Sequence, residues 1–572
     1  MKTKIIMRST TVLAALGGVA VLHAGTPTFT KITTGVIVTD TGIAGGCAWG
    51  DYNNDGHDDL FVASSQVGGQ NLLYLNKGDG TFTKISTGSI VTDGGNSSAC
   101  VWGDFDNDGF LDLFVTNPGG DFFARPSFLY RNNGDGTFQK IISGRIVSDS
   151  RVSFDAAWAD FDNDGYIDLF VGDYGENKSA LYHNNGDLTF DPIAAGPIVN
   201  EGGQSVGSAW ADYNNDGFTD LFVANGAGSP GLNNFLYRNN GGGNFVGITS
   251  GSIVTDGGNS LGCAWGDYDN DGFPDLFVAN GFVLTIENNF LYHNNGNGTF
   301  TRVTSGSVVS EAGSFGSCAW GDFDNDGFLD LFVTQTFGKN NLLYHNNGDG
   351  TFSQVTTGSL VNDGGSSRSC AWADYNNDGF LDLFVANFDD FGAVPPQANF
   401  LYQNDGNTNQ WLKLKLVGTV SNRAAIGAKI RVKATIGGNT VWQLREISGG
   451  SGWAGQNSLV AHFGLRDATN IDTVRIEWPS GIVQEIHDVT SKQLLTVREP
   501  ARLQVLGPGT FRVQSWKGMA FEVQASTALA QWSPVATATN LTGTLEFTDP
   551  DAVNHLGRFY RAVQCPAGRR GE

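Results

Sequence analysis

Seven times in 572 residues the chain repeats one ten-residue phrase, Asp-x-(Asp/Asn)-Asn-Asp-Gly-x-x-Asp-Leu, beginning at Asp51, Asp104, Asp160, Asp212, Asp267, Asp322 and Asp374. Position 3 is Asn53, Asp106, Asp162, Asn214, Asp269, Asp324 and Asn376; position 5 is Asp55, Asp108, Asp164, Asp216, Asp271, Asp326 and Asp378; position 9 is Asp59, Asp112, Asp168, Asp220, Asp275, Asp330 and Asp382. Side-chain oxygens at positions 1, 3, 5 and 9, with a main-chain carbonyl at position 7 (His57, Phe110 and their equivalents), form the kind of donor set that Ca²⁺ takes in other loops. Gly56 and its equivalents permit the reversal that turns those oxygens inward. The phrase is not an EF-hand, because the twelfth-position Glu is missing and strands rather than helices flank it. A metal-free string of Asx turns would use the same residue types, but three or four convergent carboxylates repel one another without a cation. The expectation is Ca²⁺, up to seven ions, one per repeat. The Asn53, Asn214 and Asn376 loops carry one carboxylate fewer and are expected to bind it more weakly.

The segments around each loop recur too. A Cys-Ala-Trp-Gly strand (Cys47–Gly50) precedes the loop, and a continuous apolar run follows it (Leu60–Val62), as in strands buried on both faces. A third strand (Phe128–Tyr130) leads to a Gly-rich turn (Asn132–Gly136) suited to a tight hairpin. The fourth strand opens with Thr-Phe (Thr137–Phe138). Four strands recurring seven times predict an all-β fold, a seven-bladed β-propeller. The last repeat ends near Gly406 without its Thr-Phe strand, and Pro27–Thr33 (PTFTKIT) supplies the missing piece. The N-terminal strand is therefore expected to close the ring, which removes free sheet edges. The acidic loops and Gly-rich hairpins then share one face. The variable second-to-third-strand loops and the blade-to-blade links share the other.

These repeats resemble the FG-GAP/VCBS repeats of integrin α-subunit propellers and of many secreted bacterial proteins, over residues 27–406. Beyond residue 410, alternating runs such as Trp411–Val417 and Lys429–Ile436 predict half-buried strands of a separate β domain, 411–499. Its segments Ala425–Ala428, Arg445–Gly455, Phe463–Leu465 and Trp478–Gly481 resemble the ASPIC/UnbV module that follows the same propeller in the cartilage acidic protein family and bacterial relatives. The resemblance departs at Trp453-Ala-Gly-Gln456, where an aromatic-x-Ser-Gln is usual, and it implies no defined chemistry. Residues 500–565, with Phe521–Ser526, Trp532 and Arg558–Ala562, are similar to small β-sandwich modules at the C-termini of large exported bacterial proteins, and 566–572 reads as a tail.

Met1–Ala24 has the basic start, short apolar run and small final residue of a secretory signal peptide, and no later stretch is long enough for a transmembrane helix. Residues 25–410 are expected to hold the propeller and carry 46 of the 58 acidic but only 13 of the 34 basic residues. So acidic a surface argues against nucleic acid as a partner. Cys47, Cys100, Cys263, Cys318 and Cys370 fill one repeat position. Equivalent strands in facing sheets lie too far apart for disulfides, so free buried thiols are expected.

Two Gly-x-Ser-x-Gly matches (Gly203–Gly207, Gly258–Gly262) fall in blade-to-blade links without the strand–turn–helix setting of a nucleophile elbow. His183, His293 and His345 share a repeat position with Arg131, Arg238 and Gln403 and are expected on the surface. The reading is an exported, calcium-binding, non-catalytic propeller for extracellular binding or adhesion to a protein or carbohydrate. Its ligand face would be the variable loops, with Phe122, Phe123, Arg125, Tyr174, Phe282, Phe388 and Phe391. Two alternatives stand beside it: a carbohydrate-active enzyme, lyase or hydrolase, and a purely structural matrix protein.

Overall fold

The computed structural model describes residues 27–565 apart from 120–122, 176–177, 227–230, 282–284, 389–396, 508, 517–518, 530 and 556–557. The expected signal peptide, the tail and the rim aromatics Phe122, Phe282 and Phe391 lie outside the described residues. The chain is a β-propeller followed by further β-sheets. Seven antiparallel sheets hold one sequence repeat each. Repeat one runs Ala44–Gly50, Asp59–Ser64, Leu72–Asn76 and Phe82–Ile85. Repeat seven contributes Ser367–Ala373, Asp382–Asn387 and Phe400–Asn404, and its fourth strand is Phe29–Ile32, with Phe29 opposite Asn404 and Ile32 opposite Leu401. The first strands pack beside one another in sequence order, that of repeat one against that of repeat seven.

The repeated residues explain why neighbouring sheets hold together. Each first-strand indole N–H donates to a carbonyl of the preceding first strand: Trp49 to Ala371 (3.2 Å), Trp102 to Ala48, Trp158 to Val101, Trp210 to Ala157, Trp265 to Ala209, Trp320 to Ala264 and Trp372 to Ala319. The residue after each Trp, Gly or Ala in every repeat, must be small for this approach. A Cβ on Gly50 would lie 2.8 Å from the Trp102 ring. A second belt runs through the last Asn of each third strand, whose Nδ2 donates to the position-2 carbonyl of the preceding loop. Asn132 reaches Tyr52 (2.8 Å), and Asn76 of repeat one reaches Tyr375 of repeat seven (2.8 Å). Buried amides satisfied in this way each contribute on the order of 1 kcal/mol, and leaving one unpaired costs more. The sequence pattern did not announce one further element. Each blade-to-blade link carries a short helical turn such as Ser89–Thr92, which buries Ile90 and Val91.

After the ring, Gln410–Val417 pairs with Ala461–Arg466 and Gln493–Arg498 in one sheet. Lys429–Ile436, Asn439–Glu446, Asn470–Glu477 and Val483–Thr490 form another. The strands alternate as expected, and the unit packs directly on the ring. Its Leu412, Ile430, Phe463 and Ile476 share one apolar cluster with Val101, Phe105, Trp158 and Ile167 of the ring. Residues 502–564 form two three-stranded sheets. Trp516 joins them to the rest: its indole donates to the Ser421 carbonyl (3.0 Å) and its ring meets Tyr166 at 5.1 Å. Among the described residues no helix is long and apolar enough to cross a membrane.

Candidate metal loops and the docked module

All seven acidic phrases adopt one conformation. Position 1 and position 9 carboxylates are buried in every loop, whereas positions 3 and 5 are partly or fully exposed except at Asp324. The position-9 Asp opens the second strand, and its Oδ1 accepts the main-chain N–H of the third-strand Asn, as Asp59 does from Asn76 (2.8 Å) and Asp112 from Asn132 (2.7 Å). In six loops position 1 accepts the N–H groups of positions 5 and 6, as Asp51 does from Asp55 (3.0 Å) and Gly56 (3.1 Å), while Asp160 accepts from position 6 alone. The loops are folded by their own main chain with their carboxylates gathered. The ligand oxygens of Asp104, Asp106 and Asp108 lie within 4.8 Å of one another, as do those of Asp160, Asp162 and Asp164.

Position 4, which carried no role in the sequence reading, closes a third belt. All seven position-4 Asn residues are left-handed, from Asn54 at φ 59° to Asn377 at φ 58°. Each Nδ2 donates to the position-6 carbonyl of the next loop: Asn54 to Gly109 (2.7 Å), Asn107 to Gly165, Asn163 to Gly217, Asn215 to Gly272, Asn270 to Gly327, Asn325 to Gly379, and Asn377 back to Gly56 (3.1 Å). The invariance of Asn at that position within the chain was the available signal.

The residues fit a cation. Asp59 Oδ2, Asp220 Oδ2, Asp382 Oδ2 and Asp160 Oδ1 are buried without a hydrogen-bond partner, which is costly for a carboxylate unless a positive charge faces it. Burial, with neighbouring carboxylates adding to it, pushes Asp59 up to about 9 and Asp267 up to about 8. A bound divalent ion would supply the missing charge and be held by positions 1, 3, 5 and 9.

The loops divide into two kinds. Where position 3 is Asn, its amide donates to the position-5 carboxylate, as Asn53 does to Asp55 (2.9 Å). Where position 3 is Asp, a basic side chain from the third strand turns into the loop. His183 Nδ1 lies 3.4 Å from Asp162 and 3.2 Å from Asp168; His293 and His345 repeat the arrangement at Asp269/Asp275 and Asp324/Asp330. Arg131 contacts Asp106 and Asp108. The histidines are thus loop partners rather than plain surface residues, and Asp168 holds His183 up at about 9. The extra carboxylate never comes alone, so carboxylate number by itself does not rank the loops. Pairing position 3 with the third-strand residue, repeat by repeat, would have exposed this.

The 411–498 unit sits on this face. Lys415 Nζ bonds Asp51 (2.9 Å), Lys429 bonds Asp212 (2.6 Å) and Lys413 bonds Asp374 (2.6 Å), the position-1 residues of the three Asn loops. Its Arg445–Asn457 segment then enters the ring axis. The Gly449 carbonyl accepts from Trp158 N (3.1 Å), Gly452 N donates to the Cys263 carbonyl (2.7 Å), Trp453 N to Ser317 Oγ (2.9 Å), and the Ala454 carbonyl accepts from Cys47 N (3.2 Å). Gly455–Gln456 adds a parallel strand to repeat one, while Gln456 also pairs with Trp102 and Asn457 with Trp372. A Cβ on Gly207 of repeat four would lie 2.9 Å from the Gly452 carbonyl, so all seven repeats meet this plug. The departure at Trp453-Ala454-Gly455 falls inside it, because main chain rather than side chain must fit there. The five ring cysteines are buried and free.

Residues 51–115, 112–171, 160–223, 212–278, 282–333 and 322–385 match the FG-GAP-like repeat. The chain belongs to the FG-GAP repeat family. In this FG-GAP protein residues 418–504 match the ASPIC and UnbV family, which leaves outside the matched range the strand Gln410–Val417 that pairs within it. Cartilage acidic protein 1 of Mus musculus is 23% identical over 522 residues, covering 83% of this chain and 77% of that protein. The Homo sapiens protein of the same name is 24% identical over 504 residues, covering 80% and 72%. A solved Agrocybe aegerita lectin that recognises non-reducing terminal N-acetylglucosamine aligns with a TM-score of 0.39 and 19% identity over 66% of this chain and 85% of that one, a likeness that carries no argument about ligand.

Proposed function

We propose that this FG-GAP protein is an exported, calcium-stabilised, non-catalytic binding protein whose ligand face is the rim of variable loops. One observation carries the reading. The ASPIC/UnbV module covers the acidic-loop face and its plug fills the axis, which leaves the opposite rim as the face on which the ring can vary. Beneath its centre the buried Arg368 guanidinium packs over Trp453 (4.2 Å), Phe388 (4.8 Å) and Phe154 (5.5 Å), and Phe154 meets Tyr174 edge-on at 5.3 Å, a closed floor for the variable loops. Above that floor Phe123 and Arg125 are exposed among loop amides, groups that suit stacking and hydrogen bonding to a carbohydrate or a protein loop. The resident chemistry favours binding over catalysis. Ser260 Oγ donates to Asn280 (2.8 Å) on an inner strand, and the loop carboxylates are drawn into main-chain and cation bonding. Calcium in the loops would be structural, holding the face on which the module docks.

The test is retention of the mature chain on glycan and extracellular-protein arrays in Ca²⁺, with product analysis of every retained glycan. Binding without cleavage supports the reading. New reducing ends or unsaturated products move the protein to the enzymes, and no retention on any array favours a structural matrix role.

A further inference from the structure

We propose that the second acidic loop holds a resident guanidinium, Arg131, in place of a metal ion, so that this loop takes up no Ca²⁺ while other loops do. The inference rests on the calcium reading of those other loops. In every loop the Oδ1 atoms of positions 3 and 5 are engaged by main-chain N–H groups: Asp55 N donates to Asn53 (2.9 Å) and His57 N to Asp55 (2.9 Å), just as Asp108 N donates to Asp106 (3.2 Å) and Phe110 N to Asp108 (3.0 Å). That leaves the Oδ2 atoms of Asp106 and Asp108 for a cation. Arg131 takes both: Nε bonds Asp106 Oδ2 and Nη2 bonds Asp108 Oδ2 at 2.8 Å. A planar guanidinium fork matches two carboxylate oxygens and keeps its charge at any working pH, so it cannot step aside by losing a proton.

Two comparisons within the chain single out this loop. Arg238 holds the same strand position in repeat four, but position 3 there is Asn214, and its Nε donates to Asn240 (3.1 Å) instead. The imidazoles of repeats three, five and six approach positions 3 and 9 and, among the described residues, no ion pair joins them to position 5. A third feature sets loop two with three, five and six rather than apart: in these four the position-9 Oδ2 accepts from the position-2 N–H, as Asp112 does from Phe105 (3.0 Å), whereas loops one, four and seven keep that buried oxygen without a partner. The module reinforces the arrangement. Arg423 N donates to Asn107 (2.6 Å), and its Nε would lie 3.6 Å from a Cβ on Gly109. The Arg423 guanidinium therefore packs beside Gly109 of the loop that Arg131 enters.

The experiment is native mass spectrometry of the mature full chain in saturating Ca²⁺, comparing wild type with Arg131→Leu, the residue type that Leu75 supplies in repeat one. The variant is expected to carry one more Ca²⁺ per chain. The reciprocal double substitution, Asn53→Asp with Leu75→Arg, moves the device to loop one and is expected to carry one fewer, which keeps the test informative if Arg131→Leu does not fold. Equal Ca²⁺ counts in wild type and whichever variant folds overturn the proposal alone. No Ca²⁺ on wild type overturns the calcium reading and this inference with it.

Discussion

The two faces of the ring are built on opposite principles. On the acidic-loop face, seven copies of one sentence make seven copies of one geometry, and the hydrogen bonds run from each copy to the next until Asn377 returns to Gly56. On the other face the repeats agree only where the strands begin. The loops above them differ in length and composition, and their contacts, such as Arg368 with Phe154 and Phe388, occur once. Repetition is what lets a ring close, since each copy must be both donor and acceptor to an identical neighbour. Variation is what lets one ring present a particular surface. Stability should therefore concentrate on the first face and recognition on the second, and each test below presses on that division.

The largest effect is expected from removing metal. A site filled at 100 times its Kd contributes about 2.7 kcal/mol, so several sites together make EDTA the most damaging treatment, read as a fall in Tm that added Ca²⁺ reverses. The metal-free protein should also be pH-sensitive in a defined direction. Burial, with smaller contributions from neighbouring acids, raises Asp168 and Asp275 to about 7, Asp267 to about 8 and Asp59 to about 9. A carboxyl with a raised folded pKa binds more protons folded than unfolded, so its stabilisation is lost as pH rises through that value. His183 and His293, raised to about 9 beside Asp168 and Asp275, act in the same sense. In EDTA, Tm should fall between pH 6.5 and 9. Below 6.5 the slope should be shallower, because burial lowers His462 to about 4 and its charging on acidification offsets part of what the raised carboxyls contribute. With Ca²⁺ present the upper slope should flatten. A metal-free Tm that rises from pH 6.5 to 9 would contradict the account of the loops.

Next in size is the plug. A Cβ on Gly449 would lie 2.2 Å from the Trp158 carbonyl, and one on Gly452 would lie 2.3 Å from Ser317 Oγ. Gly449→Val or Gly452→Val should cost about 3 kcal/mol or more through overpacking and lost main-chain bonds, and should make the 411–498 unit sensitive to protease while the ring remains folded. Gly481→Ala is the control. It sits in a turn at φ 80° with open space around it, and should cost about 1 kcal/mol from backbone strain alone. Equal effects at the two positions would mean that the segment does not dock as described.

A single link of the position-4 belt should matter less. Asn54→Ala removes the bond to Gly109 and leaves a left-handed residue without its favoured side chain, for about 1–2 kcal/mol. Thermal melts in excess Ca²⁺ measure it, and a change within error would show that the belt is geometry without energy.

How much of this could be read beforehand follows the same division. The strands, the closing role of Phe29–Ile32 and the position 1, 3, 5 and 9 carboxylates were legible because each is written several times over, with periodicity that one repeat alone would not reveal. The role of Asn54 was hidden for the opposite reason. An Asn in a Gly-rich loop satisfies a local Asx turn equally well, and only the neighbouring copy in space shows where its amide goes. The turn toward the loops of His183 and Arg131 depends on what position 3 holds, a correlation between residues about 20 apart that no single motif contains. The plug was least legible. Its glycines follow no period that a strand or helix would show and are small because seven inner strands crowd around them, and the 11 basic against 7 acidic residues of 411–499 are the trace in the sequence that the module faces an acidic surface.

The smallest expected change in stability is the one that decides what the rim does. Phe123 is 69% exposed on the second-to-third-strand loop of repeat two, beside Arg125, away from the three belts and from the module. Phe123→Ser should shift stability by less than any change above, at most about 1 kcal/mol, because the side chain is mostly exposed. If recognition resides on the rim, the same substitution should lower retention on whichever ligand the wild type holds, by about fivefold or more for an aromatic contact of about 1 kcal/mol or more. Asn54→Ala should do the reverse, lowering Tm while leaving retention intact at temperatures where the ring is folded. A Phe123 variant that melts early and binds normally, paired with an Asn54 variant that binds poorly and melts normally, would invert the division between the faces and place recognition on the loops that the module now covers.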